Sequence, residues 1–251
     1  MGAIGGEIGY RLLKRIGGTG DSGRTDGSAY RGRSKLDVLL GAMLWDAIRD
    51  RVVIDFGCGT GDEAVEMAQR GARDVIGLDL QERFLCVGRE RAAAAGVADR
   101  CTFVSWTDER AEVIVSIDAF EHFDDPAGVL RAMRDLLAPG GRVIASFGPT
   151  WYHPLGGHLF SVFPWAHLVF TERAFIRWRS DFKNDGATRF HEVAGGLNQM
   201  TIRRFERTVA ASPLRFETFE LVPIRKLAPL ANRFTREFTT SIIRCTLVAR
   251  D

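Results

Sequence analysis

Cysteine is scarce in this sequence of 251 residues, and its four copies form no framework. Cys58, Cys86, Cys101 and Cys245 are scattered, with no C-x-x-C pair and no zinc spacing, so they read as small apolar residues of a reducing compartment. Charge of either sign is nearly balanced. A net charge of +2 is too small for a nucleic-acid footprint or for attraction of the whole molecule to a membrane surface. No stretch of 18 or more apolar residues occurs, so no membrane span is expected. The first residues, Met1-Gly2-Ala3-Ile4-Gly5-Gly6, lack the charged start and apolar centre of a signal peptide, and a cytoplasmic location is expected. There is no internal repeat. Hydrophobic residues at 45% and charged residues at 26% are ordinary for a globular chain, and its length suits one large α/β domain or two small ones.

What the sequence does have is Val52-Val53-Ile54-Asp55-Phe56-Gly57-Cys58-Gly59-Thr60-Gly61. Its apolar start reads as a strand buried on both faces, ending at an acid and running into alternating glycines. Glycines at 57, 59 and 61 permit a tight turn and let a ligand lie against the backbone. The helix expected from Asp62 to Arg70 would point its positive dipole end at that turn. Val75-Ile76-Gly77-Leu78-Asp79-Leu80 is a second buried strand, its acid 24 positions after Asp55. A carboxylate there can accept both hydroxyls of a ribose. Asp62 stands where a dinucleotide fingerprint wants its third glycine, which argues against NAD or FAD.

Strands and helices then alternate. A helix is expected from the Ser34 cap through Ile48, and another over Gln81–Ala95. Strands are expected at Cys101–Trp106, 113–117 and 142–147. A helix opens at Asp125-Pro126 with cap and first-turn proline in the preferred order. This alternation predicts a parallel sheet with helices on both faces. Two β-like runs near the C-terminus, Leu214–Pro223 and 241–250, suit an antiparallel closing pair. Residues 1–33, rich in glycine, read as a flexible N-terminal arm with at most a short helix near Tyr10–Ile16; residues 34–251 read as the domain proper.

The acid-x-G-x-G-x-G turn followed by an acid-ended second strand resembles the cofactor loop of class I S-adenosylmethionine (SAM)-dependent methyltransferases. The resemblance covers residues 34–148 by motif and 212–251 by layout. It implies a Rossmann-like, doubly wound, seven-stranded α/β sheet, mostly parallel with an antiparallel last strand. It also implies SAM as cofactor and S-adenosylhomocysteine as product. On that likeness Asp55, Gly57, Cys58, Gly59 and Gly61 line the cofactor, Asp79 holds the ribose and Leu80 sits beside the adenine. Trp106 stands where the family often has an acid that meets the adenine amino group. Either it stacks on the purine or Asp108 reaches the amino group. The backbone of Ser116–Ala119, with Asp118, is expected to hold the methionine part. His122 follows Glu121, a pair that in many relatives is structural. In others such residues bind a divalent metal, which Asp118, Glu121, His122 and His153 or His158 could do by spacing; we expect no metal.

Residues 149–205 do not belong to a plain sheet. Nine aromatic residues lie between Trp151 and Phe182, with three of the five histidines. They leave the fifth strand at the edge where open α/β sheets bind ligands. An aromatic lid over an acceptor is one reading, and a helical subdomain packed on the sheet is the other. Gly156 and Gly157 offer a bend. His153 and His158 are candidate general bases, with His122 a third catalytic candidate, and the alternative for each is to fill polar space. The expected activity is methyl transfer to an O, N or C nucleophile of a small, fairly apolar molecule. A protein or RNA methyltransferase, or a SAM-binding protein without catalysis, are the alternatives. The sequence leaves oligomeric state open.

Overall fold

Seven strands join one sheet in this computed structural model, which describes residues 2–18, 32–193 and 195–250. They are β1 (Val52–Phe56), β2 (Asp74–Leu78), β3 (Cys101–Val104), β4 (Ala111–Ile117), β5 (Leu137–Phe147), β6 (Leu214–Pro223) and β7 (Thr240–Ala249), in the order β3-β2-β1-β4-β5-β7-β6. The first five run parallel, β7 is antiparallel to β5, and β6 is antiparallel to β7. The chain is therefore the Rossmann-like α/β fold expected, with one reversed strand near its edge.

Alternate residues of each central strand feed two cores. On one face, Val53, Val75, Val113 and Val115 pack with α2 (Lys35–Leu39), α3 (Ala42–Ile48), α4 (Asp62–Gln69) and α5 (Glu82–Ala94). On the other, Ile54, Ile76, Ile114 and Val143 pack with α6 (Pro126–Leu136) and α9 (Ile202–Ala210). A strand covered on both faces has no use for polar alternation, which is why these runs are continuously apolar.

Several boundaries differ from expectation. The helix beginning at the Ser34 cap, whose Oγ accepts the Asp37 N–H at 2.9 Å, breaks at Gly41 (φ 63°) into α2 and α3. β5 starts at Leu137, before Pro139-Gly140-Gly141, because its first residues pair with Ala111 ahead of an irregularity in the ladder. β3 stops at Val104 and leaves Trp106 beyond it.

The insertion after β5 is a helical subdomain. It contains α7 (Ala166–Val169), α8 (Glu172–Arg179) and short 3-10 turns at His158–Phe160 and Phe190–Glu192. Phe160, Phe170, Phe175, Trp178 and Phe190 close their own buried core there. The region expected as a flexible arm corrects that expectation in part. Residues Gly6–Ile16 form α1, whose Leu13 is fully buried in this same core, and Ile4 bridges to Phe170. Residues 19–31 lie outside the described residues. Gly156 and Gly157 serve close packing, not bending. A Cβ on Gly156 would lie 2.3 Å from the Thr150 carbonyl oxygen, and one on Gly157 would lie 2.6 Å from the His167 side chain.

One contact holds the start of the sheet together. The Phe103 ring fills the space left by Gly61, Gly77 and Gly88, where a Cβ would approach it to 2.4, 2.5 and 2.6 Å. In an exposed helix, Gly→Ala is worth about 1 kcal/mol of stabilisation. At Gly88 overpacking outweighs it, so G88A should lose about 1–3 kcal/mol. Urea unfolding measures this, and G88A combined with F103L should recover part of the loss. Stabilisation by G88A alone would show that the contact yields.

Candidate cofactor and acceptor site

The glycine turn is tied to both neighbouring strands. Gly57, Gly59 and Gly61 all have positive φ, at 82°, 50° and 77°. The Gly57 and Cys58 N–H groups donate to the Leu78 carbonyl at 2.8 and 3.1 Å. The Gly59 N–H donates to Asp79 Oδ2 at 3.1 Å, and the Gln81 N–H to Asp79 Oδ1 at 2.8 Å. Each Asp79 oxygen keeps lone pairs for further donors. A Cβ on Gly59 would meet nothing within 4 Å, so the turn faces open space, the feature that a backbone-hugging ligand needs. The Cys58 side chain is 5% exposed and packs in the core beneath the turn, as a small apolar residue, and burial pushes its thiol pKa up. Only its main chain can meet a cofactor.

Beside the turn lies a knot of charges. Asp55 is 2% exposed with Oδ2 unpartnered, and burial, then the Glu63 charge, pushes its carboxyl well above the usual range. Lys35 Nζ lies 3.2 Å from Glu63 and 3.0 Å from Asp118. Burial disfavours this ammonium, but the two carboxylates outweigh it and hold the Lys35 pKa above the usual lysine value. Asp118 sits at φ 48°, in the left-handed region. Glu121 accepts the Gly148 N–H at 3.3 Å through one oxygen; the other is buried without a partner, and burial with the Asp118 charge raises its pKa well above normal. Lys35, Glu63 and Glu121 were not assigned roles at this cofactor site from sequence. A lone lysine behind a helix cap carries no motif, and only the tertiary approach of α2 to β4 discloses it.

The insertion clamps the loop after β4. Asn198 Nδ2 donates to the Phe120 and Phe123 carbonyls, both at 2.7 Å, and the Asn198 N–H donates to the Glu121 carbonyl at 3.0 Å. His122 Nδ1 sits 2.9 Å from the Gly196 carbonyl, which assigns the ring proton to Nδ1. The His122 and His158 rings meet edge to face at 5.2 Å. His158 Nε2 is buried without a partner; burial, then His122, lowers its pKa to about 4. His153 is turned elsewhere: its Nδ1 accepts the Leu155 N–H at 2.9 Å. His167 Nε2 bonds the Trp151 carbonyl at 2.6 Å, a brace inside the insertion.

At the other end, β2 pairs with β3 so that Leu78 meets Val104, which carries Leu80 and Trp106 past the sheet edge together. They are 91% and 73% exposed. Asp108 is exposed beyond them. A cavity of about 410 Å³ opens between Leu80, His122, Phe123 and the start of α6. Among the described residues no group of three His, Cys, Asp or Glu side chains is gathered for a metal. Asp118 is occupied by Lys35, and His122 by Gly196.

A sheet of this order, with a glycine turn on one strand and an acid at the end of the next, defines the class I SAM-dependent methyltransferases. A family model described as a methyltransferase domain matches residues 28–194, and the chain belongs to that family. It is 38% identical over 106 residues to the ubiquinone biosynthesis O-methyltransferase of Neisseria meningitidis serogroup C, which covers 39% of this chain and 44% of that protein. It is 39% identical over 100 residues to the enzyme of that name from Aeromonas salmonicida, covering 38% and 42%. The chain thus spans less than half the length of these curated relatives. Among solved structures, the magnesium protoporphyrin IX methyltransferase of Synechocystis with bound S-adenosylhomocysteine superposes with a TM-score of 0.54 at 14% identity, over 97% of this chain and 95% of that one. A SAM-dependent methyltransferase of Mesorhizobium loti gives 0.52 at 18% identity, over 81% and 93%. These two likenesses concern the fold.

The buried histidines have a consequence for stability. His167, like His158, is held neutral by burial, its pKa lowered to about 4 from 6.5. Below about pH 6.5 the unfolded chain binds this proton and the folded one does not. Stability from neutral His167 is therefore present above that pH and is lost as pH falls towards 4. The stability gap between wild type and H167N should be widest near pH 7.5 and shrink by up to about 3 kcal/mol towards pH 4.5. Thermal unfolding across this range checks it, and a constant gap would contradict a neutral buried ring.

Proposed function

We propose that this chain methylates a hydroxyl or another O, N or C nucleophile of a small, fairly apolar molecule in the cytoplasm, using SAM and releasing S-adenosylhomocysteine. The observation that carries the reading is the Asp79 carboxylate, held by the Gly59 and Gln81 N–H groups beside a turn that opens on free space. That arrangement fits a ribose on Asp79 and an amino-acid portion along Gly57–Gly61 and Asp118. Lys35, between Glu63 and Asp118, is the cation available to a carboxylate there. Leu80 and Trp106 offer apolar faces to a purine, and Asp108 a carboxylate to its amino group. When bound, SAM supplies a methyl group already activated by its sulfonium.

The residues around it then have four tasks: to hold each of the two reactants, to take the proton and to exclude water. The strand ends and glycine turn hold one reactant, and the insertion 149–205 holds the other. Alignment of this kind is worth roughly 7–11 kcal/mol of barrier. The partial likeness to O-methyltransferases supports a hydroxyl as acceptor. We assign the base to His158, whose Nε2 is buried without a partner while its ring abuts His122. His122 orients that ring, and His153 lies further from it in role, committed to its own turn. The aromatic core of the insertion excludes water.

Two variants test the assignment. D79N should weaken SAM binding by about 1.5–3 kcal/mol, the range for hydrogen bonds to a charged group; calorimetry that finds unchanged affinity would remove Asp79 from the ribose. H158A should bind SAM normally yet turn over a phenolic acceptor about 10²-fold more slowly. Because the His158 pKa is near 4, the acidic limb of kcat/KM belongs near pH 4–5, and a limb at 6.5 would count against this base. SAM binding without turnover of any phenol, amine or lipid-like acceptor would favour a non-catalytic role, and turnover of RNA or protein would displace the small-molecule reading.

Metal dependence is a separate expectation. Chelation should leave the rate unchanged, since Asp118 and His122 already have partners. Loss of activity with a chelator and its return with Mg²⁺, Mn²⁺ or Zn²⁺ would refute it.

A further inference from the structure

The connection between β6 and β7 is an ordered display of apolar and basic side chains. Asn232 Oδ1 accepts the Phe234 and Thr235 N–H groups at 2.9 and 3.2 Å, and Asn232 Nδ2 and Thr235 Oγ1 both donate to the Leu230 carbonyl. This bracing holds out Leu230, Phe234 and Phe238, which are 61%, 78% and 43% exposed. Large apolar side chains on a rigid turn gain nothing from water.

The charges of the same segment are sorted by direction. Glu237, the one carboxylate between residues 224 and 239, faces inward: its two oxygens accept the Arg203 and Ile202 N–H groups at 2.9 and 3.0 Å and cap α9. Arg236 is committed to Glu206 at 2.5–2.6 Å. Arg225, Lys226 and Arg233 are exposed, and among the described residues none has a carboxylate within ion-pair distance. The net charge of the whole chain, +2, conceals this local surplus of three. The place matters as well. β6 runs in the direction of β5, so its end opens at the sheet edge that carries the insertion, and the Phe238 ring lies 5.2 Å from Tyr152 at the start of that insertion.

We infer that the β6–β7 loop seats the protein on the surface of a bilayer rich in anionic phospholipid. Arg225, Lys226 and Arg233 meet the phosphates while Leu230, Phe234 and Phe238 enter the boundary between headgroups and acyl chains. These basic residues have no carboxylate partner, and Arg233 stacks over the Phe234 ring at 4.5 Å. Their combination with aromatic and aliphatic side chains, and no outward acid, is complementary to that surface. No helix among the described residues is long and apolar enough to cross a membrane, and docking needs none. The inference is independent of which acceptor is methylated.

Cosedimentation of the full chain with vesicles of phosphatidylcholine, with and without phosphatidylglycerol, tests it. Binding should require phosphatidylglycerol and weaken as salt screens the basic residues. The triple variant R225E/K226E/R233E should partition roughly 100-fold more weakly, three basic residues each contributing near the membrane surface. F234S should weaken binding at every salt concentration. Both should bind SAM as the parent does, which shows that they fold. Three results would overturn the inference: no preference for phosphatidylglycerol, partitioning unchanged in both variants, or self-association without vesicles that the same substitutions abolish. Loss of binding in I8S/L12S on the exposed stripe of α1, with the loop variants unaffected, would likewise place the contact elsewhere.

Discussion

The structure depends on one close contact, the Phe103 ring lodged where Gly61, Gly77 and Gly88 carry no side chain. Those glycines belong to three different elements: the turn after β1, the middle of β2 and the interior of α5. The ring draws them together, so the turn lies flat on the sheet and its Gly59 N–H comes within 3.1 Å of Asp79. A methyl group at any of the three would lift one element off another. The cofactor edge is thus a product of packing below it as much as of the residues that face the ligand.

Above that contact the constraint is electrostatic. Asp55, Asp118 and Glu121 are all buried enough for their carboxyls to be pushed towards the neutral form, and a single ammonium, Lys35, bridges Asp118 and Glu63. Buried charge is tolerated only where it is paired and hydrogen-bonded. Lys35 does that here by reaching in from α2, which lies outside the nucleotide-binding unit in sequence. Asn198 does the corresponding work for uncharged groups, satisfying two carbonyls of the loop after β4. Both ends of the chain segment around the sheet therefore contribute to a site whose signature lies between them.

The aromatic insertion is better understood as a small body with its own core than as a flap. Phe160, Phe170, Phe175 and Trp178 are buried against each other and against Leu13 of α1, so the N-terminal helix completes the subdomain instead of hanging free. Packing of this kind places His158 where its neutral ring abuts His122. It also leaves Tyr152 at the rim, next to the β6–β7 connection.

Much of this was legible in the residues alone, for physical reasons that differ by element. Continuous apolar runs at 52–54 and 75–78, glycines at alternate positions and an acid at each strand end are local patterns with local causes. They determined the sheet and the glycine turn between its first two strands. The Asp125-Pro126 and Ser34 caps were equally local. What only the tertiary structure decided were relations between residues far apart in the chain. The break at Gly41, the early start of β5 and the packing purpose of Gly156 and Gly157 follow from neighbours that no window of sequence contains. So do the union of α1 with the insertion and the bridge from Lys35 to Asp118. Spacing made His153 and His158 equal candidates. The fold gives His153 Nδ1 a partner in the Leu155 N–H and leaves His158 Nε2 buried without one.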